Sequence, residues 1–377
     1  MAMFSRELSA VSPETVGIDR DRLARALDVI RSGVGTAYPG ATVCAFRQNK
    51  CFADAAFGTH GGGTGVSPDS LYDLASLTKP IATAASVLAL AERGMLTYSQ
   101  KIGDLFGESA TGEWKNVSVR ELVTHTSGLP AWVPLYKSGL GLESAVRSIL
   151  ALPAADRPQP GMRYEYSCLN YILLGSIVQT ASGKTLKQFA RESVFAPLGL
   201  IDILYQPDAV MRRRIAPTGS EEGMEEELPV TLCGTVHDGN ARGIEAGGDV
   251  SGNAGLFGTA RDVARFGNAL LHPDAGALFG IPALARVFTN QVPGVGGQTL
   301  LFYSDGNDFN PAGDLLSPQA VGHSGYTGTM LTIDPASDLA VVVLTNSVYP
   351  VNGGSGKPGW LSVRRRFLNA LAASVVA

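Results

Sequence analysis

The sequence predicts an α+β protein. One antiparallel sheet is built from both ends of the chain, the terminal helices pack on it, and a mostly helical lobe is inserted between them. Three observations lead there. Hairpin patterns occur near both ends, at residues 41–57 and 329–345. Apolar helical runs fill the middle, the one at 80–91 rich in alanine. The chain has 377 residues, of which 45% are hydrophobic and 17% charged, enough to build a large core and unlike a disordered chain.

Taken in order, residues 19–31 carry Leu23, Leu27 and Ile30 at the spacing of an amphipathic helix. Residues 41–47 and 51–57 flank the polar turn Gln48-Asn49-Lys50 and read as a hairpin. A glycine-rich loop at 61–65 leads to a short segment at 71–74. Residues 80–91 are almost wholly apolar and predict a buried helix, as do residues 171–180, which Ser182-Gly183 closes. Between 111 and 199 more helices are expected, punctuated by Gly128-Leu129-Pro130, Pro158 and Pro160-Gly161. The acidic stretch 219–227 is expected to be a surface loop, and residues 262–271 another helix. Strands 329–333 and 339–345 flank the turn sequence Asp334-Pro335-Ala336-Ser337, and residues 361–376 close the chain as a helix. The expected division is residues 1–75 plus 235–377 for the sheet-bearing domain and 76–234 for the helical one, with the active site in the cleft between them.

Composition excludes several classes of function. Net charge is −4, and the only basic runs, Arg212-Arg213-Arg214 and Arg364-Arg365-Arg366, read as solvated helix faces, so no nucleic-acid partner is expected. Cys44, Cys51, Cys168 and Cys233 form no CxxC pair. Cys44 and Cys51 sit on the two strands of one hairpin, where a bridge is conceivable, but reduced thiols are the expectation. No histidine pair has metal-ligand spacing, so neither metal nor cofactor is expected. No run is long enough to span a bilayer, and residues 1–12 lack the apolar core of a signal peptide, which predicts a cytoplasmic protein with no membrane partner.

The chemistry centres on Ser76-Leu77-Thr78-Lys79, in which Ser76 is the only serine followed three residues later by lysine. Pro80 suits the first turn of a helix, so Ser76 is expected at a helix N-terminus with Lys79 one turn away on the same face. Free N–H groups and the dipole there favour an oxyanion, and the Ser76 N–H can serve as one donor. The same dipole, with burial against residues 81–90, is expected to lower the Lys79 pKa so that a neutral amine accepts the serine proton. The tetrapeptide also fits a helix-capping serine followed by a surface lysine.

Two further segments join it. Tyr166 stands just before the buried helix in Tyr164-Glu165-Tyr166-Ser167-Cys168-Leu169-Asn170, where a phenol can shuttle a proton or simply pack. Gly322-His323-Ser324-Gly325-Tyr326 precedes the second hairpin. Its small residues allow close approach of a substrate, and His323 can bind a carboxylate or orient a hydroxyl, or be a hydrogen-bonded structural histidine.

In this order the three segments resemble the serine β-lactamase and penicillin-binding-protein superfamily, particularly the class C-like branch that includes family VIII carboxylesterases. There Ser-x-x-Lys, Tyr-x-Asn and Lys-Thr-Gly or His-x-Gly recur. Residues 122–130, 236–241 and 254–257 are similar to other landmarks of that branch, so the likeness runs from about residue 15 to the C-terminus. It implies a β-lactamase-like fold with Ser76 as nucleophile, Lys79 as base, Tyr166 as proton relay and the Tyr326 N–H as second oxyanion donor. It also implies His323, Ser324, Gly325, Cys168 and Asn170 as substrate-binding positions.

Two positions depart from the pattern. Cys168 stands in place of asparagine, with Asn170 nearby, and His323 in place of the lysine that binds the carboxylate of β-lactams and peptidoglycan stems. Both tilt the expectation toward a carboxylesterase acting on a small-molecule ester. An amidase, peptidase or weak β-lactamase acting on D-amino-acid or muramoyl peptides is the alternative, and an acylated binding protein without turnover a further one. Ser251-Gly252-Asn253, His125 and His237 read as structural. No Gly-x-Ser-x-Gly occurs, against an α/β-hydrolase. Oligomeric state is left open.

Overall fold

The computed structural model describes residues 10–107, 110, 113–154, 156–219, 231–273, 278–349 and 356–376. The acidic stretch 219–227 lies outside these but for Gly219. The strands are β1 (Gly40–Arg47), β2 (Lys50–Gly58), β3 (Tyr72–Asp73), β4 (Leu204–Tyr205), β5 (Thr218–Gly219), β6 (Thr231–Leu232), β7 (Leu256–Gly258), β8 (Val321–Gly325), β9 (Thr329–Asp334) and β10 (Leu339–Thr345). The α-helices are α1 (Arg20–Ser32), α2 (Ala85–Glu92), α3 (Ile102–Phe106), α4 (Val119–Val123), α5 (Leu142–Leu150), α6 (Cys168–Ser182), α7 (Leu186–Ala190), α8 (Gly239–Ala246), α9 (Ala260–Leu271), α10 (Ile281–Val287) and α11 (Gly356–Ala372).

The two terminal hairpins join in one antiparallel sheet of order β2-β1-β10-β9-β8, with Val43 opposite Val343 across the β1/β10 pair. In β10 the residues alternate. Leu339, Val341 and Val343 face a core shared with α1 and α11, whereas Ala340, Val342 and Leu344 face the core that contains α9. Both faces are covered, which is why β10 reads as one unbroken apolar run. The first hairpin turns on two residues rather than three: Gln48 and Asn49 both have positive φ, and Lys50 already belongs to β2. The four cysteines are free thiols, and contact with Cys51, reinforced by burial, pushes Cys44 well above the ordinary thiol value.

The expected division at 234/235 is not a seam. β4, from the inserted stretch, pairs with β7, and Asn240 on α8 accepts from Leu135 N at 2.8 Å and donates to Val133 O at 2.8 Å. One apolar cluster runs from Phe46 and Val342 through Leu88 and Leu122 to Ile172, so both lobes share a core. Among the described residues no helix is long and apolar enough to cross a membrane.

Two glycines set the distance between α6 and the loop before β7. A Cβ on Gly252 would run into the Tyr171 carbonyl, and one on Gly175 would lie 3.2 Å from Gly252 N. Gly252→Ala is therefore expected to cost about 1–3 kcal/mol, read as a lower urea midpoint at unchanged m-value.

Candidate active site

The segment between β3 and α2 is built to present one side chain. Every residue from 71 to 90 is buried except Ser76, which is half-buried. Ser76 sits on a single 3-10 turn, Ala75–Leu77, ahead of a π-helical stretch, Lys79–Ala84, that runs into α2. The serine is thus one turn outside the expected helix start. Ala75 adopts a left-handed conformation (φ 46°), which a non-glycine residue keeps only where its surroundings enforce it. Here they do. Asp73 accepts from Ala75 N at 2.8 Å and from His237 N at 2.7 Å. Thr327 and Thr329 hydroxyls donate to the carbonyls of Asp73 and Leu74 at 2.7 and 3.0 Å. Burial raises the Asp73 carboxyl, and those two N–H groups act against it.

Lys79 is 0% exposed. Its Nζ donates to Ser76 Oγ at 2.9 Å and to the Asn253 carbonyl at 2.9 Å, and lies 3.6 Å from Cys168 Sγ. It also stands 5.0 Å from the centre of the Tyr166 ring. Burial works against the ammonium, but the Cys168 and Tyr166 acids beside it favour it more strongly, and the balance lies above the ordinary lysine value. This overturns the expected lowering. The apolar environment acts in the anticipated direction, yet a thiol and a phenol whose anions attract the ammonium outweigh it. Burial in turn raises Tyr166, with Lys79 opposing, and raises Cys168 likewise.

Tyr166 and Cys168 are brought to Lys79 by the loop at residues 125–130. Glu165 N donates to His125 O at 2.8 Å, Ser167 Oγ to Pro130 O at 2.7 Å and Cys168 N to Ala131 O at 2.9 Å. His125 Nδ1 accepts from Ser167 N at 3.1 Å, and burial, then Lys79, holds this imidazole well below its ordinary pKa. Asn170 belongs to the same buried mould and not to the cleft. It is 0% exposed, accepts from Ser127 Oγ at 2.7 Å and contacts His125 Nδ1 at 3.3 Å. Its expected place among substrate-binding residues is corrected, because a little over half a turn of helix carries it from the mouth of α6 to the side that faces the core.

Strand β8 forms the opposite wall. A Cβ on Gly325 would meet Thr329 Oγ1 and the Leu74 carbonyl, so only glycine lets β8 approach the Ser76 turn this closely. Ser324, Gly325 and Tyr326 line a cleft of about 660 Å³ together with Ser76 and Tyr166. His323 does not line it. Its ring is buried and stacked on Tyr303 at 4.3 Å, its Nδ1 pairs with Ser324 O at 3.0 Å, and burial drives its pKa to about 3. A neutral, buried imidazole supplies no charge for a carboxylate, so the expectation that His323 binds one is corrected.

Several residues around Lys79 and along the cleft carry no motif. Asn253 acts through its backbone carbonyl, invisible in any side-chain pattern, although Ser251-Gly252-Asn253 also packs structurally as expected. Tyr303, Asp308 and Phe309 come from the stretch between α10 and β8, and Lys357, Trp360, Arg364 and Arg365 from α11. The arginine run 364–366 is only partly a solvated face, since Arg364 lies on the buried stripe with Trp360, Val363 and Phe367. Among the described residues no cluster of three or more His, Cys, Asp or Glu can hold a metal ion.

A sheet-and-helix fold with a Ser-x-x-Lys turn facing a tyrosine across the cleft defines a serine hydrolase of the β-lactamase and penicillin-binding-protein superfamily. The chain belongs to the Beta-lactamase family, whose model matches residues 26–363. A protein of Escherichia coli (strain K12) described as "Putative D-alanyl-D-alanine carboxypeptidase" is 30% identical over 382 residues, covering 90% of this chain and 85% of its own. The fold is that of a penicillin-binding-protein homolog from Caulobacter crescentus (TM-score 0.73, 20% identity, 95% and 99% of the two chains). It is also that of EstCE1, a hydrolase with promiscuous acyltransferase activity (TM-score 0.74, 20% identity, 93% and 99%).

The raised Lys79 value sets the sign of a pH dependence. At neutral pH the cluster holds the proton that a base must lose, so kcat/KM on a neutral ester is expected to climb about tenfold per pH unit on its acid limb toward an alkaline plateau. A profile already flat below neutrality would contradict this. His323, neutral above about pH 3, should add no step of its own.

Proposed function

We propose that the protein is a carboxylesterase that cleaves short-chain acyl esters through an acyl-enzyme on Ser76. The observation that carries this reading is the 2.9 Å contact between Ser76 Oγ, the one accessible side chain of its segment, and the buried Lys79 Nζ. With Lys79 neutral, Ser76 Oγ attacks the ester carbonyl carbon and its proton passes to Nζ. The tetrahedral oxyanion forms against the N–H groups of Ser76 and Tyr326. Its collapse breaks the bond to the alkoxy oxygen, which takes a proton by way of Tyr166. Water then adds to the acyl-enzyme, gives a proton to the same pair, and releases the acid and free Ser76.

Esters are favoured over amides because an alkoxide leaves with less protonation than an amine. Cys168, occupying the position where the superfamily pattern has asparagine, offers a weaker hydrogen-bonding group. The name carried by the curated relatives supports a second reading, cleavage of a D-alanyl peptide bond by the same three residues.

A burst of 4-nitrophenol from 4-nitrophenyl butyrate is expected, followed by slower turnover. Ser76→Ala should lower kcat/KM at least about 10⁴-fold and Tyr166→Phe about 10²–10³-fold. Esterase activity surviving in Ser76→Ala would sink the proposal. Faster hydrolysis of D-alanyl-D-alanine peptides than of the ester would favour the peptidase.

A further inference from the structure

Cys168 moves no proton in the steps above, yet its sulfur lies where an anion is well held. An ammonium has three N–H groups to place. Lys79, sealed from water, places them on Ser76 Oγ, on the Asn253 carbonyl and, at 3.6 Å, on Cys168 Sγ. None of these acceptors is a carboxylate. The Asn253 side chain adds a second donor. It is 0% exposed and its nitrogen has no hydrogen-bond partner, and the amide bears on Cys168 in the sense that favours the thiolate. A buried amide N–H without an acceptor is costly, and a thiolate accepts where a thiol does so only weakly.

Three acids meet here: the Cys168 thiol, the Tyr166 phenol and the Lys79 ammonium. In water they give up their protons at about pH 8.5, about 10 and about 10.4, so sulfur starts ahead. Burial disfavours the thiolate, Lys79 favours it, Asp238 opposes it and Asn253 favours it, and the thiol ends above its ordinary value. Burial also works against the ammonium, and the group that counters it most strongly is Cys168, ahead of Tyr166. Only a thiolate carries the charge to do that, so sulfur ionises while Lys79 still holds its proton. The other rings nearby do not compete. Burial holds Tyr171, 5.8 Å from Nζ, and Tyr303, beside Tyr166, well above the ordinary phenol value. It holds His125 and His323 below the ordinary imidazole value, and therefore neutral.

We propose that the first proton this cluster loses comes from Cys168, so that the competent state holds a Cys168 thiolate beside a Lys79 ammonium. This rests on the acyl-enzyme reading of Ser76 and specifies its proton route, with Lys79 as a relay. As Ser76 Oγ attacks the carbonyl carbon, its proton passes to Nζ and one Nζ proton passes to Sγ, leaving a thiol and an ammonium. On collapse Tyr166 gives its proton to the departing alkoxy oxygen and takes one from Nζ. Nζ recovers a proton from the thiol, and the thiolate–ammonium pair is restored. Cys168 acts through Lys79 and is a positioning residue, the store for the proton that Ser76 sheds.

The ultraviolet absorbance of the thiolate reads the sulfur directly, with Cys168→Ser as the blank in each background and tyrosinate followed at its own longer-wavelength band. In wild type this signal should rise with the same midpoint as kcat/KM for 4-nitrophenyl butyrate. In Cys168→Ala the acid limb of kcat/KM should move up by about one pH unit or more, because Lys79 must then lose its own proton. Cys168→Ser keeps the size and a hydrogen-bonding group but not the acidity, and its limb should move as in Cys168→Ala. Lys79→Met leaves the anion buried without its cation, so the thiolate midpoint should rise by at least about one unit.

An acid limb that stays in place or moves down in Cys168→Ala, or one that stays with wild type in Cys168→Ser, overturns the proposal. So does a thiolate signal that appears only above the kinetic midpoint, or a thiolate midpoint unmoved by Lys79→Met. Should 4-nitrophenyl butyrate give no Ser76-dependent turnover, the acyl-enzyme reading fails separately. The effect of Lys79→Met on the thiolate midpoint then still decides which residue loses the first proton.

Discussion

A lysine ammonium sealed from water has to find its hydrogen bonds inside the protein, and Lys79 finds them on three separate stretches of chain. Ser76 lies on its own turn, Asn253 in the loop before β7, and Cys168 at the mouth of α6. None is a carboxylate, so no single strong pair anchors the charge. The arrangement holds only when all three stretches are in place. Docking α6 against the 252–253 loop through Gly175 and Gly252, and the Thr83 hydroxyl on Gly252 O at 2.7 Å, serves this end.

The same logic explains why the Ser76 turn tolerates a left-handed alanine. Asp73 grips the turn from one side and ties it to His237, while threonines at the β8/β9 corner grip its carbonyls from the other. The segments at 125–130 and 236–240 therefore act as moulds. Residues 125–130 shape the approach of Tyr166, and residues 236–240 connect the Ser76 turn with the loop at 133–135. Their side chains reach the chemistry through other residues.

Electrostatically the cleft is lopsided. Lys79 shares its environment with a thiol and a phenol whose own ionisation is suppressed by burial, so the proton belongs to the group and not to one residue. On the β8 side the imidazole is silent, stacked and buried. On the α11 side stand Lys357, Arg364 and Arg365.

Much was legible from residues alone because it depends on local pattern. The two hairpins, the buried helices at 85–92 and 168–182 and the Ser-x-x-Lys turn follow from periodicity and turn chemistry, which a chain carries wherever it folds. The order of Ser76, Tyr166 and His323-Ser324-Gly325 identified the superfamily. Tertiary structure decided what depends on neighbours arriving from elsewhere. Asn170 and Cys168 are two residues apart, yet helical rotation sends one into the core and the other to Lys79. Lys79 is a stronger base than its apolar flank implied, because Tyr166 and Cys168 come from nearly ninety positions away. Arg364 reads as surface in a run of three arginines, and only the packing of α11 on the sheet turns it inward. Pattern selects the elements and the class of chemistry; burial and distant neighbours set which groups carry charge and which face the cleft.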